Sequence, residues 1–324
     1  ASVVLFELPS GYVADRIGRK KALMLGSFFH GLGFSLLCLA DGFAGLVLFE
    51  VTVGLGMSLL SGADLSLLYD SQIALGQSAR EKSRGLANMR FIKSTAEGLA
   101  ALLGGVLLLW SFDLLVYVNA LIGWLPLMLS FLLVEAPYQR MSGDSHLGNL
   151  KGILRHLFLQ DKVLRLTTLA LTLYGLSTFY VVWLIQPYWA DQGLPLSSFG
   201  ILWGMQNFVV ALASRYCLYL EEKLGAVAVL CLMALLPAMG YFGMAWTGGT
   251  VGILLIFSFY VSRGLHQVLL TDAFNARVPS EFRSTANSLT SFLFRLIFIV
   301  TGPRSEEHTS ELQSPCNLVC RLLL

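Results

Sequence analysis

Glu50, Asp64, Glu97, Arg263, His266 and Arg295 are ionisable side chains set inside long apolar stretches of the 324-residue sequence. A charge at the centre of a membrane helix costs roughly 2.5 to 3.5 kcal/mol on insertion scales, so each must face a partner or a polar cavity. Groups of this kind bind protons, contact a solute or tie helices together. Asp64 and His266 lead the set, because they lie 202 positions apart and that interval recurs elsewhere in the chain. Glu97 follows Lys93 by one helical turn and can form an ordinary ion pair with it. Glu50 lies toward the end of its stretch, as does Arg263, whose long side chain can snorkel to the interface. Glu7-Leu8-Pro9 reads either as a kink with an internal carboxylate or as a gate contact. A neutral set completes the candidates. Tyr180, Trp183 and Gln186, with Trp203, Gln206 and Asn207, can line an aromatic and amide pocket for an organic solute. The aromatics from Pro187 to Trp189 fit an interfacial belt.

Nothing in the sequence points to an enzyme. It has no phosphate-binding glycine loop, no metal-ligand spacing and no nucleophile with an identifiable base. No cofactor, metal or nucleic-acid partner is expected. Cys38, Cys217 and Cys231 fall in apolar stretches and read as small buried apolar side chains.

The elements that must position these residues are membrane helices. Hydrophobic residues make up 56% of the chain and charged residues 13%, with a mean hydropathy of +0.69. The apolar excess has to face lipid. Apolar stretches of about 20 residues, enough to cross about 30 Å of hydrocarbon, recur between short polar breaks. None alternates as the strands of a membrane barrel would. The expected spans are 1–13, 22–40, 45–69, 84–110 and 114–134, then 163–189, 199–220, 225–246, 251–272 and 284–301. The net charge of +2 conceals a strong asymmetry. Arg16, Arg19, Lys20 and Lys21 share one break, Arg80, Lys82 and Arg84 another, and Arg140, Lys151, Arg155 and Lys162 the longest. Alternate breaks carry Asp41, Asp113 and Asp191 without Lys or Arg, so the basic breaks are expected on the cytoplasmic side.

The two halves read as copies. Gly62, Leu67, Leu68 and Asp70 recur 202 positions later as Gly264, Leu269, Leu270 and Asp272. Arg84, Ala87 and Asn88 recur 199 positions later as Arg283, Ala286 and Asn287. A weaker echo sets Asp15-Arg16-Ile17-Gly18 against Glu222-Lys223-Leu224-Gly225, an offset of 207. An internal repeat of helices is the organisation of many transporters.

Between the first two spans stands Gly11-Tyr12-Val13-Ala14-Asp15-Arg16-Ile17-Gly18-Arg19-Lys20. Gly11 permits close helix contact, Asp15 and Arg16 offer opposite charges, Gly18 permits a tight turn and the basic cluster anchors the cytoplasmic face. This segment resembles the signature loop between helices two and three of the major facilitator superfamily. The resemblance implies an all-α membrane protein of two pseudo-symmetric six-helix bundles around a central cavity. It also implies that helix one, the start of helix two, part of helix eleven and helix twelve are missing, so that this chain alone is not expected to transport. Asp15 inherits a gating role by position, with Gly11, Arg16, Gly18, Arg19, Asp70, Arg84, Asp272 and Arg283 as its expected company at the helix ends. In the fourth helix Gly54 and Gly56 match the family pattern, but Glu50 stands where an Arg is usual. In the fifth, Gly98, Gly104 and Gly105 are similar to an antiporter signature whose Pro is absent.

The string Arg304 to Leu324, which holds Cys316 and Cys320, resembles a translated sequencing adapter and is set aside. The expected domains are therefore an N-terminal bundle over 1–134, a central cytoplasmic loop over 135–162, a C-terminal bundle over 163–303 and a non-native tail over 304–324. The expected function is secondary active transport of a small organic solute by alternating access. Proton coupling and drug or metabolite efflux are expected first. Uptake of a small metabolite, and a non-transporting sensor or partner-binding membrane protein, stand as alternatives. The expected setting is a monomer in a bacterial cytoplasmic membrane, with the bilayer, the solute and protons as its partners.

Overall fold

A computed structural model of the protein describes residues 2–138, 146–195 and 198–306. Arg140 and most of the adapter-like tail, including Cys316 and Cys320, lie outside the described residues. Among the described residues the regular elements are helices. They are α1 (Ser2–Ile17), α2 (Arg19–Leu37), α3 (Gly42–Leu60), α4 (Ala63–Ala74), α5 (Ala79–Trp110), α6 (Phe112–Ile122) and α7 (Leu125–Ser130). After these come α8 (His146–Arg155), α9 (Lys162–Asp191), α10 (Phe199–Leu224), α11 (Ala226–Trp246), α12 (Gly249–Asn275) and α13 (Arg283–Glu306).

Seven described stretches are long and apolar enough to cross a membrane: Gly42–Ala74, Ala79–Trp110, Phe112–Ser130, Lys162–Asp191, Ala226–Trp246, Gly249–Asn275 and Ser280–Gly302. The other expected spans are helical too. However, α1 is short, α2 opens on Arg19, Lys20 and Lys21, and α10 carries Arg215, Glu221, Glu222 and Lys223. Leu103, Leu121, Val227 and Leu254 are among many large apolar side chains left exposed. Such a surface belongs in lipid.

Three elements depart from the pattern expected of the sequence. The stretch 45–69 is two helices, parted at Ser61 (φ −59°, ψ 131°) and Gly62 (φ 78°, ψ −35°). These are the dihedrals of a type II turn, which needs positive φ at its third position, where Gly is favoured. The stretch 114–134 is interrupted between α6 and α7, because Pro126 has no N–H to continue the ladder, and helix ends at Ser130 rather than Val134. The expected loop 135–162 contains α8 and a π-helical turn over His156–Gln160. Ile153 and Leu157 anchor that segment in an apolar cluster with Leu164, Phe274, Val278, Ala286 and Leu289.

The helices gather in two compact units. One takes the described parts of 1–78, 112–172 and 273–299, and the other takes 79–111, 173–272 and 300–306. Each unit draws on both sequence halves. In the first, α13 lies against α1, where a Cβ on Gly11 would sit 2.6 Å from Ser288 Oγ and 3.0 Å from the Ser284 carbonyl. α2 and α3 approach through Gly26 and Gly56, and a Cβ on Gly56 would stand 2.9 Å from the Gly26 carbonyl. In the second, α5 packs on α10 through Gly98, Gly105, Gly200 and Gly204. Gly200 and Gly204 form a G-x-x-x-G pair, the spacing that lets two helix backbones meet.

Gly62→Ala meets two penalties, a left-handed backbone costing roughly 1–2 kcal/mol and a new Cβ 2.9 Å from the Ser284 carbonyl. Gly76→Ala shares the positive φ but opens onto free space. The thermal unfolding midpoint in detergent is therefore expected to fall further for Gly62→Ala. Equal falls would show that the turn is not packed as described.

Candidate functional site

The signature segment carries a buried cluster of charge in the first unit. Its Asp15 accepts hydrogen bonds from the backbone N–H groups of Ser284 (3.0 Å) and Thr285 (2.7 Å), and from the Thr285 hydroxyl (2.7 Å). Those residues open α13, so a carboxylate from one helix end caps the start of another, where free N–H groups favour negative charge. Asp15 lies past the apolar stretch of α1 and is fully buried. Burial pushes its carboxyl up to about 6, against the lowering effect of its Thr285, Arg19 and Ser284 contacts.

Arg19 is also fully buried. Its guanidinium lies 2.5 Å from Asp70 and 3.4 Å from Asp15, donates to the Ser280 carbonyl and stacks over Tyr138 at 3.9 Å. Asp70 in turn takes the guanidinium of Arg283, which also donates to the Val278 carbonyl at 2.9 Å. Two carboxylates thus share two guanidiniums out of water. Glu135 closes the arrangement by accepting from the backbone N–H groups of Arg19 (2.9 Å) and Lys20 (2.8 Å), the first donors of α2. Gly18 makes the turn with φ 112°, and a Cβ there would sit 3.0 Å from the Glu135 carboxylate.

Arg16, expected at the interface, is exposed, and the ion pair belongs to Arg19 one turn later. Glu135, Tyr138, Ser284 and Thr285 were not singled out in the sequence. The only signal was their position beside helix ends, since capping through backbone N–H groups needs no sequence motif beyond a short polar side chain.

The second unit repeats the theme in weaker form. Asp272 accepts from the Ser83 hydroxyl at 2.6 Å, beside Arg84. Arg80 pairs with Glu222 at 2.6 Å, with both side chains more than half exposed, and such a surface pair contributes little stability. Arg84 lines a cavity of about 440 Å³ with Arg80, Asn88, Arg215, Tyr219 and Glu222.

The membrane-embedded candidates fall into separate places. Asp64 belongs to the first unit, in the opening turn of α4, where its carboxylate accepts from the Leu65 N–H at 2.7 Å. His266 belongs to the second, stacked on Tyr174 with ring centroids 5.5 Å apart and its Nδ1 3.0 Å from the Ser262 carbonyl. Glu97 is half-buried, and the expected ion pair with Lys93 does not form among the described residues. Glu50, expected toward the end of its stretch, is half-buried in the middle of α3, and its carbonyl accepts from the Ser2 hydroxyl at 2.9 Å. Arg295 stands over Phe294.

Of the aromatic and amide set, Trp203, Gln206, Asn207 and Gln186 are buried. Tyr180 meets the Thr301 hydroxyl, and Trp183 lies edge-on to Phe179. Trp189 is not at an interface: it is 1% exposed and packs edge-on against Phe199 in a core with Trp203, Phe259 and Tyr260. Among the described residues, the buried Gln186 Oε1, Trp189 Nε1, Gln206 Oε1 and Tyr260 hydroxyl meet no hydrogen-bond partner. Among the described residues no group of three His, Cys, Asp or Glu is placed to hold a metal.

A model of the Major Facilitator Superfamily matches residues 1–303. The chain belongs to that superfamily. It is an integral membrane protein of the major facilitator fold, in a family of transporters rather than enzymes, and the match stops just short of the adapter-like string. Solved structures of the superfamily share the fold. A FucP transporter in the outward conformation is 18% identical, with a TM-score of 0.68 over 98% of this chain and 85% of that one. The E. coli fucose:proton symporter FucP is 16% identical, with a TM-score of 0.67 over 98% and 85%. A bacterial homologue of the iron transporter ferroportin, in an outward-facing state, is 16% identical, with a TM-score of 0.62 over 99% and 86%. No curated protein matches the chain.

Removing one partner of a buried ion pair strands the other, at roughly 3–5 kcal/mol. Asp70→Asn, which leaves Arg19 and Arg283 short of a counter-charge, is therefore expected to lower the thermal unfolding midpoint strongly. Arg16→Ala should leave the midpoint within error, and a comparable loss for both would show that the charges are not buried as a group.

Proposed function

We propose that this superfamily member moves a small organic solute by alternating access, with the sequence halves 1–134 and 163–303 as the moving bodies and a proton gradient as the driving force. The observation that carries the organic-solute reading is the set of buried, unpartnered polar atoms on Gln186, Trp189, Gln206 and Tyr260. Trp189 and Tyr260 belong to a core of aromatic and aliphatic side chains with Trp203 and Phe259. Unmet donors and acceptors inside an apolar wall are what an organic molecule with a few polar groups would satisfy. Proton coupling is supported by carboxylates set within the apolar helices and by one structural neighbour, a fucose:proton symporter.

In this reading Asp15, Arg19, Asp70 and Arg283 form a cytoplasmic latch. It is closed in the present arrangement and must break when the cytoplasmic ends of α1 and α13 part. The outward-facing neighbours support that assignment. Export is the favoured direction, on the glycine-rich fifth helix and the aromatic lining. Uptake is the second reading, favoured by the same symporter neighbour. The setting is a bacterial cytoplasmic membrane, with the basic breaks facing the cytoplasm and the protein acting as a monomer.

The test is solute flux in vesicles carrying the full-length protein, with and without an imposed pH gradient. Flux is expected to follow the gradient. Gln206→Ala is expected to raise the half-saturating solute concentration about 2- to 12-fold, the equivalent of one hydrogen bond of about 0.5–1.5 kcal/mol. Binding without exchange for any organic compound would favour a sensor over a transporter.

A further inference from the structure

The superfamily match and the latch leave one group without a task. Glu7, in the middle of α1, is fully buried. Its Oε1 accepts from the Ser61 hydroxyl at 2.6 Å, while Oε2 is buried with no hydrogen-bond partner among the described residues. Ser61 is the first residue of the turn that parts α3 from α4, so the carboxyl stands at a break in a membrane helix. The break is built in. Ser10, one turn along from Glu7, donates to the Ser58 carbonyl at 2.7 Å and meets an acceptor near the parted end of α3.

The polar groups acting on Glu7 come from both elements packed on it. Ser61 and Asp64 belong to the parted helix, and Ser291 and Arg295 belong to α13. Their charges do not cancel: two carboxylates face one guanidinium. Asp64 lies in the first turn of α4 and accepts from the Leu65 N–H, so a helix N-terminus compensates its negative charge. Glu7 lies in the middle of α1, where the neutral Ser61 and Ser291 hydroxyls act on its carboxyl. Nor, among the described residues, does it form an ion pair with Arg295, whose Nε is likewise buried and meets no partner there. An idle acceptor and an idle donor in one low-dielectric cluster leave a single unit of positive charge to be supplied.

We propose that Glu7 is a proton-binding carboxyl whose protonation on Oε2 opens its pairing with Arg295. The proton comes from water, bonds to Oε2 and neutralises the carboxylate; when it leaves for water, the carboxylate is free to take the guanidinium. Because α1 and α13 also carry the two sides of the latch, binding at Glu7 acts on the pair of helices whose ends part. Proton binding stands on this geometry alone, whereas its role in coupling rests on the transport reading.

The experiment has two arms on the full-length protein. The first is an infrared pH titration of the protonated-carboxyl carbonyl band in vesicles without solute. A titrating component of that band is expected in the wild type and lost in Glu7→Gln, leaving the component of Asp15. Arg295→Gln should keep the band to higher pH, because the charge that favours the ionised carboxyl is gone. The second arm compares gradient-driven accumulation with solute exchange, and the ratio is expected to fall in Glu7→Gln. A band that survives unchanged in Glu7→Gln, or one insensitive to Arg295→Gln, overturns proton binding. If the band behaves as expected and no solute moves in the wild type, the transport reading fails while the site stands. If Glu7→Gln does not fold, the Arg295→Gln shift alone decides the first arm.

Discussion

The structure turns on a constraint that buried charge imposes. Asp15, Arg19, Asp70 and Arg283 are held out of water, and each is tolerable only while the others are in reach. Because Arg283 and the N–H groups capped by Asp15 open α13, the constraint binds an element late in the chain to elements near its start. It also explains why the compact units cross the sequence halves. Asp70 of the first half meets Arg283 of the second, and Asp272 of the second half meets Ser83 of the first. Each copy of the repeat reaches into the other at the equivalent helix end.

The two copies have diverged in what these contacts are made of. In the first unit the acid meets buried guanidiniums and a capped helix, with Glu135 fixing the turn from behind. In the second, Asp272 accepts from the Ser83 hydroxyl, and Arg80, Arg84 and Arg215 lie on an open cavity wall. Equal sequence spacing has produced one cohesive contact and one looser one. The Gly pair shows the same divergence. Gly62 turns the chain with positive φ, while Gly264 continues a helix and makes room for α10, where a Cβ would lie 2.6 Å from Ala213.

Much of this was legible in the sequence. Apolar length gave the helical membrane class, and spaced Gly, Asp and basic residues marked the signature segment. What escaped was of two kinds. Helix interruptions at Ser61–Gly62 and Pro126 were hidden because apolar composition runs straight through them, and only backbone geometry separates a continuous span from two short helices. Partners were hidden because capping is a tertiary event: nothing in the residues around Thr285 announces that a carboxylate some 270 positions away will sit on its N–H. Trp189 was misplaced for a related reason. An aromatic beside Pro at a helix end reads as interfacial until the neighbouring Phe199 is seen to enclose it.

The seam between α5 and α10 is lined by Gly98 and Gly105 on one side and Gly200 and Gly204 on the other, and at Gly105 and Gly200 the facing atoms are backbone. Interlocked side chains act as teeth, which resist sliding and reset only by steps. Here Leu102 and Phe208 are teeth at Gly204 and Gly98, while the stretch at Gly105 and Gly200 has none and acts as a smooth bearing, along which two rods can rotate while keeping most of their attraction.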